Sequence, residues 1–154
     1  MSLDLRQDSP VTWLASYPRS GNTLLRIVLK RCFGLSSQSV YDDAEFSSTA
    51  LREVVGHEPV GDDPARFLSQ AQQERRRLYV KTHELPPADR HPAIYVVRDG
   101  RAAVVSYIHF LREILKRDVT ARDVICGKVG VSWSRHIRAW TLPPRPGTLV
   151  IRYE

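Results

Sequence analysis

The most constraining feature of the sequence is a short apolar segment that runs through a tight polar loop into a helical pattern. Residues 11–16, V-T-W-L-A-S, are apolar and partly β-branched, which predicts a buried strand. Residues 17–23, Y-P-R-S-G-N-T, contain turn residues, and apolar residues then recur at helical spacing up to Gly34, a typical helix stop. A loop of this kind gathers free backbone N–H groups and the positive end of a helix dipole, so it can bind an anion.

The side chains of this loop suit a phosphate or a sulfate. Arg19 supplies a cation, and Ser20, Asn22 and Thr23 supply short polar groups. The loop is not a Walker A sequence, because Asn22 stands where that motif requires lysine. Taken alone, the loop is equally compatible with an ordinary strand-to-helix turn and a helix cap.

Further apolar strands alternate with helices along the chain. The sequence predicts strands at residues 78–81, 93–98 and 148–153, helices at 64–77, 100–116 and 131–140, and a loop with a short helix at 36–64. Strands that are apolar throughout and separated by helices indicate an α/β fold with a parallel sheet flanked by helices. A chain of 154 residues can bury about 68–70% of its unfolded surface, so we expect one domain over residues 1–154.

Two of these strands end in residues suited to anion chemistry. Lys81 and His83 follow one strand, at the sheet edge where open α/β sheets bind ligands. His83 can accept a proton near neutral pH, although a lone histidine at a strand end is more often a surface residue. Arg98 ends another strand, and Ser106 lies one or two turns into the next helix, so both can reach a second phosphate. The alternative is a surface ion pair in which Asp99 caps the helix.

The formal net charge of +6 lies wholly in the second half of the chain. Residues 1–80 hold ten basic and ten acidic side chains, whereas residues 81–154 hold thirteen basic and seven acidic. A basic half suits a nucleic acid, a membrane surface or a polyanionic small molecule. The basic residues are scattered among apolar ones, without an RNP-type strand or a groove-reading helix, which argues against nucleic acid. The run of arginines at 75–77 is typical of a solvated helix face, and residues 40–64 are acidic.

The cysteines and the N-terminal residues indicate the cellular compartment in which we expect the protein. Cys32 and Cys126 are 94 positions apart and have no histidine at ligand spacing, so we expect no metal site, with Cys32 in the core. Two unpaired cysteines suit a reducing compartment. The chain also has no signal-peptide start and no apolar run near the ~20 residues of a membrane span. We therefore expect a cytoplasmic protein without a membrane partner.

Five segments together resemble the sulfotransferase family. S-Y-P-R-S-G-N-T (16–23) looks like that family's 5′-phosphosulfate loop, K-T-H-E-L-P (81–86) like its Lys-Thr-His-x-x-Pro segment, and I-Y-V-V-R-D-G-R-A-A-V-V-S-Y (94–107) like its 3′-phosphate segment. G-V-S-W-S-R-H-I-R-A-W (130–140) and L-V-I-R-Y-E (149–154) resemble later blocks of the family in the right order. Each motif alone is weak, but five in order are difficult to obtain by chance.

The resemblance implies a P-loop-like α/β fold that binds 3′-phosphoadenosine 5′-phosphosulfate (PAPS). Its activity would be transfer of the sulfuryl group to a hydroxyl or amine of a small-molecule or glycan acceptor. No metal is implied, because a sulfuryl group carries less negative charge than a phosphoryl group, so that arginine and backbone donors suffice.

The same resemblance assigns roles to individual residues. His83 would be the general base with Lys81 supporting the transferring group, Arg98 and Ser106 would hold the 3′-phosphate, and Tyr153 would contact the adenine. The 5′-phosphosulfate would be held by Arg19 and by the backbone N–H groups of Ser20, Gly21, Asn22 and Thr23.

The chain departs from the family pattern at three positions, in or directly after the first loop, and in its length. Many cytosolic members have lysine at Arg19, threonine at Asn22 and a tryptophan that stacks on adenine at Leu24, so we expect the adenine to be packed differently here. The family's C-terminal third would follow Glu154, so we expect a fold that lacks this third. Exposed sheet edges would then leave association into a homo-oligomer open.

Two other functions also stay open. One is a P-loop kinase, in which Asp99 would bind magnesium at the end of a Walker B-like strand. The other is a non-catalytic domain that keeps the fold and binds a nucleotide, a sulfated ligand or a partner.

Overall fold

The computed structural model describes residues 10–39, 41, 49–60 and 63–154, except for the side chains of residues 64, 65 and 68. The strands are β1 (Val11–Ser16), β2 (Gln38–Ser39), β3 (Leu78–Thr82), β4 (Ala93–Val97) and β5 (Thr148–Arg152). The helices are α1 (Asn22–Phe33), α2 (Thr49–Val55), α3 (Pro64–Gln73), α4 (Gly100–His109), α5 (Ala121–Ile125) and α6 (Trp133–Thr141). A π-helical turn, Phe110–Ile114, continues α4. Within these described residues, no helix combines the length and the apolar character needed to cross a membrane.

The strands form one parallel sheet in the order β2-β3-β1-β4-β5, which confirms the predicted fold class. β1 lies at the centre, with Ala15 opposite Thr82 of β3 and Ser16 opposite Val96 of β4. Because all strands are parallel, their C-terminal ends meet at one edge. The chain crosses from one side of β1 to the other between β3 and β4, and open α/β sheets bind ligands at such a switch point.

Two apolar clusters cover one face of the sheet. Their buried members are Val11, Ala71, Leu78 and Val80 in the first and Ala15, Ala93, Tyr95 and Trp140 in the second. Trp13 packs against both clusters. Since alternate residues of a strand point to the same side, α3 and α6 pack on the same face of the sheet.

The buried face of α1 shows that one prediction is wrong. α1 buries Asn22, Arg26 and Leu29, which recur four and three residues apart and share one helix face. Cys32 lies roughly a quarter turn away from that face and is exposed, so it is not a core residue. Arg26 is fully buried although it is charged, which is why apolar spacing alone selected the wrong face.

The other differences from the predicted elements lie at element ends and in short elements. Gly34 ends α1 in the left-handed conformation, with φ 67°, as predicted. α3 ends at Gln73 and Arg75 takes φ 52°, so the arginines at 75–77 follow the helix and do not form a helix face. The short helix expected within 36–64 is α2, and residues 40, 42–48 and 61–62 of that segment lie outside the described residues. β2 and α5 were not predicted, because elements of two and five residues show no periodicity.

A histidine of α6 is part of the buried core. His136 is fully buried, its Nδ1 accepts a hydrogen bond from the Tyr95 hydroxyl at 2.9 Å, and its Nε2–H donates to the His83 carbonyl at 3.0 Å. Its ring also contacts Tyr17 edge-on. Burial lowers the pKa of His136 from 6.5 to about 4, so the ring is neutral near pH 7.

We expect the free energy of unfolding to depend on pH through His136. The unfolded chain regains the ordinary pKa of 6.5, so it binds more protons than the folded protein between pH 6.5 and about 4. The stability due to this shift is complete above pH 6.5 and is lost as the pH falls towards 4, an effect of about 3 kcal/mol.

Denaturant unfolding of the wild type and of His136→Gln over this pH range measures the effect. The wild type should lose about 3 kcal/mol more than the variant. Equal losses in the two proteins would contradict the neutral, buried state of His136.

Candidate functional site

The C-terminal edge of the sheet opens into a cavity of about 670 Å³. Every strand leads into a residue that lines it: Arg19 lies beyond β1, Tyr41 beyond β2, His83 beyond β3, Arg98 beyond β4 and Tyr153 beyond β5. The parallel topology therefore brings residues from the whole chain to one place.

All but one of the residues predicted for a site line this cavity. The exception is Ser20, which is buried, with 1% of its surface exposed. The residues that line it are Arg19, Gly21, Asn22, Thr23, Lys81, His83, Arg98, Ser106 and Tyr153.

The loop between β1 and α1 depends on a glycine. Gly21 has φ 100°, and a Cβ atom placed on it would lie 2.3 Å from Cδ2 of Tyr153, so both the backbone conformation and the close approach exclude a side chain. The N–H of Ser20 donates to the Tyr17 carbonyl at 3.2 Å and is thus engaged within the loop. No side chain caps α1, and the first N–H groups of a helix have no partner inside it. Because Asn22 and Thr23 of this first turn line the cavity, their N–H groups are candidate donors to a ligand there.

Asn22 ties this loop to the end of β1. Its Nδ2 donates to the Leu14 carbonyl at 2.8 Å and to the Ser16 hydroxyl at 3.4 Å. Its Oδ1 and the Ser20 hydroxyl are buried and have no hydrogen-bond partner among the described residues. Buried polar atoms without partners are rare in folded proteins, and two of them at one loop fit a site that binds a polar ligand.

Two guanidinium groups and a hydroxyl converge on the same loop. Arg98 donates from Nη1 to the Arg19 carbonyl at 3.0 Å, and Arg19 donates from Nε to the Ser106 hydroxyl at 3.4 Å. The Arg98 guanidinium stacks over the Tyr153 ring, 4.7 Å from its centroid, and lies 3.7 Å from the Glu154 carboxylate. An anion that enters here meets two planar forks of donors.

His83 lies on another wall of the cavity, and its orientation is set by hydrogen bonds. Its Nδ1 donates to the Ser16 carbonyl at 2.8 Å; because a carbonyl only accepts, Nδ1 carries the hydrogen and Nε2 is the basic nitrogen of the neutral ring. Its backbone N–H donates to the Tyr41 hydroxyl at 2.8 Å, and the two rings stack with centroids 5.7 Å apart. The Lys81 ammonium lies over the Tyr41 ring, 5.6 Å from its centroid.

Three tyrosines of the cavity, Tyr17, Tyr41 and Tyr107, are held in the neutral form. Burial, with a smaller contribution from Tyr107, raises the pKa of Tyr17 to about 12. Burial likewise raises the pKa of Tyr41 and of Tyr107. These hydroxyls therefore act near neutral pH as hydrogen-bonding groups and add no negative charge to the site.

Several lining residues escaped the sequence analysis. Tyr41 follows a strand of two residues inside an acidic segment, where no pattern marks it. Glu84 lies inside the K-T-H-E-L-P motif, but the resemblance gives that position no role. Phe110 lies on the π-helical turn, with the Arg19 guanidinium 5.2 Å from its ring centroid, and only the helix geometry shows that it faces the cavity.

Asp99 belongs to the N-terminus of α4, as the ion-pair alternative predicted. Its carboxylate pairs with the Arg101 guanidinium at 3.3 Å and accepts hydrogen bonds from the N–H groups of Arg101 and Ala102 at 3.0 and 3.1 Å. The Arg101 side chain, together with these N–H groups, lowers the pKa of Asp99. Across the described parts of the chain, no group of three or more His, Cys, Asp or Glu side chains is placed to hold a metal ion.

Comparison with known proteins finds relatives at the level of sequence. A family model described as the sulfotransferase domain matches residues 9–154. Flavonol 3-sulfotransferase of Flaveria bidentis is 29% identical over 162 residues, which cover 92% of this chain and 50% of the relative. WSCD family member GA21586 of Drosophila pseudoobscura pseudoobscura is 31% identical over 109 residues, 69% of this chain and 29% of the relative. The chain thus spans half or less of the length of these relatives.

Solved structures share the fold. Mouse sulfotransferase SULT7A1 complexed with PAP superposes with a TM-score of 0.63 at 18% identity, over 93% of this chain and 51% of that chain. Retinol dehydratase in a complex with retinol and PAP gives 0.54 at 18% identity, over 92% and 54%. The sequence match covers every strand and helix described above together with the residues around the cavity, and on that ground this chain belongs to the sulfotransferase family.

Proposed function

We propose that residues 1–154 form one sulfotransferase domain that takes a sulfuryl group from PAPS and transfers it to a hydroxyl or amine of an acceptor. The observation that carries the proposal is the convergence of Arg19, Arg98 and His83 on one cavity of about 670 Å³. Acceptors would be small molecules or glycans, of the size that such a cavity admits.

The donor fits the phosphate-binding side of the cavity. The N-terminus of α1 and the Arg19 guanidinium offer donors for the 5′-phosphosulfate, and the partnerless Ser20 hydroxyl and Asn22 Oδ1 lie at the same loop. Arg98 and Ser106 contact Arg19 directly, so the residues proposed for the 3′-phosphate adjoin those proposed for the 5′ group. Both negatively charged parts of the donor would thus be bound at one junction of the sheet. The contact of Tyr153 with the adenine stays a prediction.

PAPS supplies an activated sulfur atom whose leaving group is the 5′-phosphate of 3′,5′-ADP. His83 would take the acceptor proton on Nε2 while the acceptor oxygen forms its bond to sulfur. The bond between sulfur and the bridging phosphate oxygen breaks in the same step, and its electron pair remains on 3′,5′-ADP. Arg19 and the α1 N–H groups would stabilise the charge that develops on that oxygen, and Lys81 would stabilise the transferring group. Arg19 acts here only through its charge, because a guanidinium does not readily give up a proton.

The geometry does not favour the kinase alternative. Asp99, the expected magnesium ligand of that alternative, uses its carboxylate to cap α4 and to pair with Arg101. The loop also has Asn22 in place of the Walker A lysine.

We expect the chain to transfer radiolabelled sulfate from PAPS to members of a panel of phenols, sugars and amines. His83→Ala should reduce kcat by about 10²- to 10⁴-fold, the usual loss of a general base, and should leave the affinity for 3′,5′-ADP unchanged. His109→Ala is the matched control, because His109 lies at the exposed end of α4 and does not line the cavity.

Two outcomes would contradict this proposal. Equal activity of His83→Ala and wild type would exclude His83 as the base. Binding of 3′,5′-ADP without any turnover would favour the non-catalytic alternative for this chain.

A further inference from the structure

The peptide that carries His83 is held by buried donors that the proposed reaction does not use. His136 donates from Nε2 to the His83 carbonyl at 3.0 Å, and Trp140 donates from Nε1 to the Glu84 carbonyl at 3.0 Å. The Tyr95 hydroxyl donates in turn to Nδ1 of His136 at 2.9 Å. All three donor side chains are fully buried. His136 and Trp140 also belong to the segment 130–140, to which the sequence analysis assigns no role.

We propose that His136 and Trp140 are positioning residues that hold the general base, and that Tyr95 fixes the proton on His136. The inference rests on the proposed function, because it takes His83 as the base. His136 and Trp140 are four residues apart on α6, so they lie one turn apart on one face and reach two successive carbonyls.

The remaining backbone groups of this dipeptide are also bonded. The N–H of His83 donates to the Tyr41 hydroxyl at 2.8 Å, and the N–H of Glu84 donates to the Thr82 hydroxyl at 3.1 Å. All four backbone polar groups of His83 and Glu84 thus have a partner. The ring of His83 is then aimed by its own bond to Ser16. Such positioning matters because a misplacement of about 1 Å can cost about 10²-fold in rate.

The hydrogen bonds from Tyr95 to His136 and from His136 to the His83 carbonyl require one protonation state near neutral pH. The His83 carbonyl only accepts, so Nε2 of His136 carries the hydrogen and Nδ1 is the acceptor of the Tyr95 hydroxyl. Burial lowers the pKa of His136 to about 4 and raises the pKa of Tyr95. The donors therefore stay in place over the pH range in which an imidazole base works.

The imidazole nitrogen chemical shifts of His83, measured by NMR, test the positioning role without requiring turnover. In the wild type they should report one tautomer, with the hydrogen on Nδ1. His136→Phe removes the donor to the His83 carbonyl, so we expect a mixture of tautomers and, where turnover is measured, a kcat about 10²-fold lower. The affinity for 3′,5′-ADP should change less than twofold.

Matched variants separate positioning from general damage. His136→Gln places an amide N–H where Nε2 stood and should restore the single tautomer. Trp133→Phe removes another indole donor of α6, one that serves the Arg98 carbonyl, and should leave the His83 shifts unchanged.

The proposal is overturned if folded His136→Phe keeps the wild-type His83 shifts. If His136→Phe does not fold, Trp140→Phe is measured in its place. It should change the imidazole nitrogen shifts of His83, and unchanged shifts would overturn the proposal. Failure of 3′,5′-ADP to bind any of these proteins would instead count against the proposed function.

A second inference comes from the charge of the cavity wall. Glu84 is the one carboxylate among the described residues that line the cavity, and the lysine and arginines that line it are Arg19, Lys81 and Arg98. Glu84 directly follows His83, its side chain is exposed, and Oε1 accepts a hydrogen bond from the Tyr41 hydroxyl at 3.2 Å. An acceptor whose hydroxyl reaches Nε2 of His83 would therefore share the cavity with this negative charge.

We infer that Glu84 selects acceptors by charge. It favours acceptors that carry a hydroxyl and a protonated amine on an apolar body over those that carry a hydroxyl and a carboxylate. This inference also rests on the proposed function. Phe110, Ile114 and Leu115 line the same cavity and suit an aromatic or aliphatic body. In the proposed reaction the positive charge of Lys81 interacts with the sulfuryl group. The negative charge of the Glu84 carboxylate therefore acts on the acceptor.

Tyramine, 4-ethylphenol and 4-hydroxyphenylacetate test the selection, because they share a phenol and differ in charge. With 3′,5′-ADP bound, calorimetry should show tyramine binding about tenfold more tightly than 4-hydroxyphenylacetate, or about 1.4 kcal/mol. Glu84→Gln keeps an acceptor for the Tyr41 hydroxyl and should abolish this preference. Glu113→Gln, on the π-helical turn but outside the cavity lining, should retain it.

No preference in the wild type, no binding of any of the three phenols, or a preference that survives Glu84→Gln would overturn the inference. Because 3′,5′-ADP binding is measured first, each of these results is distinct from a failure of the donor site.

Discussion

The junction between β1 and α1 is the constraint on which the site depends. The Asn22 amide holds the Leu14 carbonyl and the Ser16 hydroxyl, and the Ser16 carbonyl accepts the hydrogen bond that orients His83. Arg98 reaches across to the Arg19 carbonyl of the same loop. The end of one central strand therefore positions the anion loop, one guanidinium group and the proposed base together. A change at this junction would move all three.

The cavity has two sides of different character because different layers of the fold supply them. The anion side comes from the α1 N-terminus and from the arginines at the ends of β1 and β4, where backbone dipoles and cations add. The other side comes from the ends of β2 and β3, where Tyr41 and Glu84 surround His83. Helix α6 holds the second side through His136 and Trp140, and its Trp133 donates to the Arg98 carbonyl on the anion side. This division suits the proposed reaction, in which one cavity binds a polyanionic donor and a less negative acceptor.

Much of this arrangement could be predicted from sequence, for a physical reason. Apolar strands separated by helices give a parallel sheet, and a parallel sheet gathers the strand ends, so Arg19, His83 and Arg98 were expected at one edge. The contacts among them were not predictable, because they depend on tertiary packing. Arg26 is buried in α1 although it is charged, and the register of α6 alone decides that His136 meets the His83 carbonyl. Tyr41 follows a strand too short to leave a pattern.

The proposed function requires that the C-terminal edge of this sheet bind a nucleotide that carries both a 5′- and a 3′-phosphate. Calorimetric titration with 3′,5′-ADP tests it most directly, on the wild type, on Arg98→Ala, and on Arg101→Ala, whose side chain is 94% exposed and lies outside the cavity lining. We expect the wild type and Arg101→Ala to bind alike, and Arg98→Ala to bind about 10- to 100-fold more weakly because charge-assisted hydrogen bonds are lost. Tight binding of ATP with magnesium, and no response to 3′,5′-ADP, would contradict it.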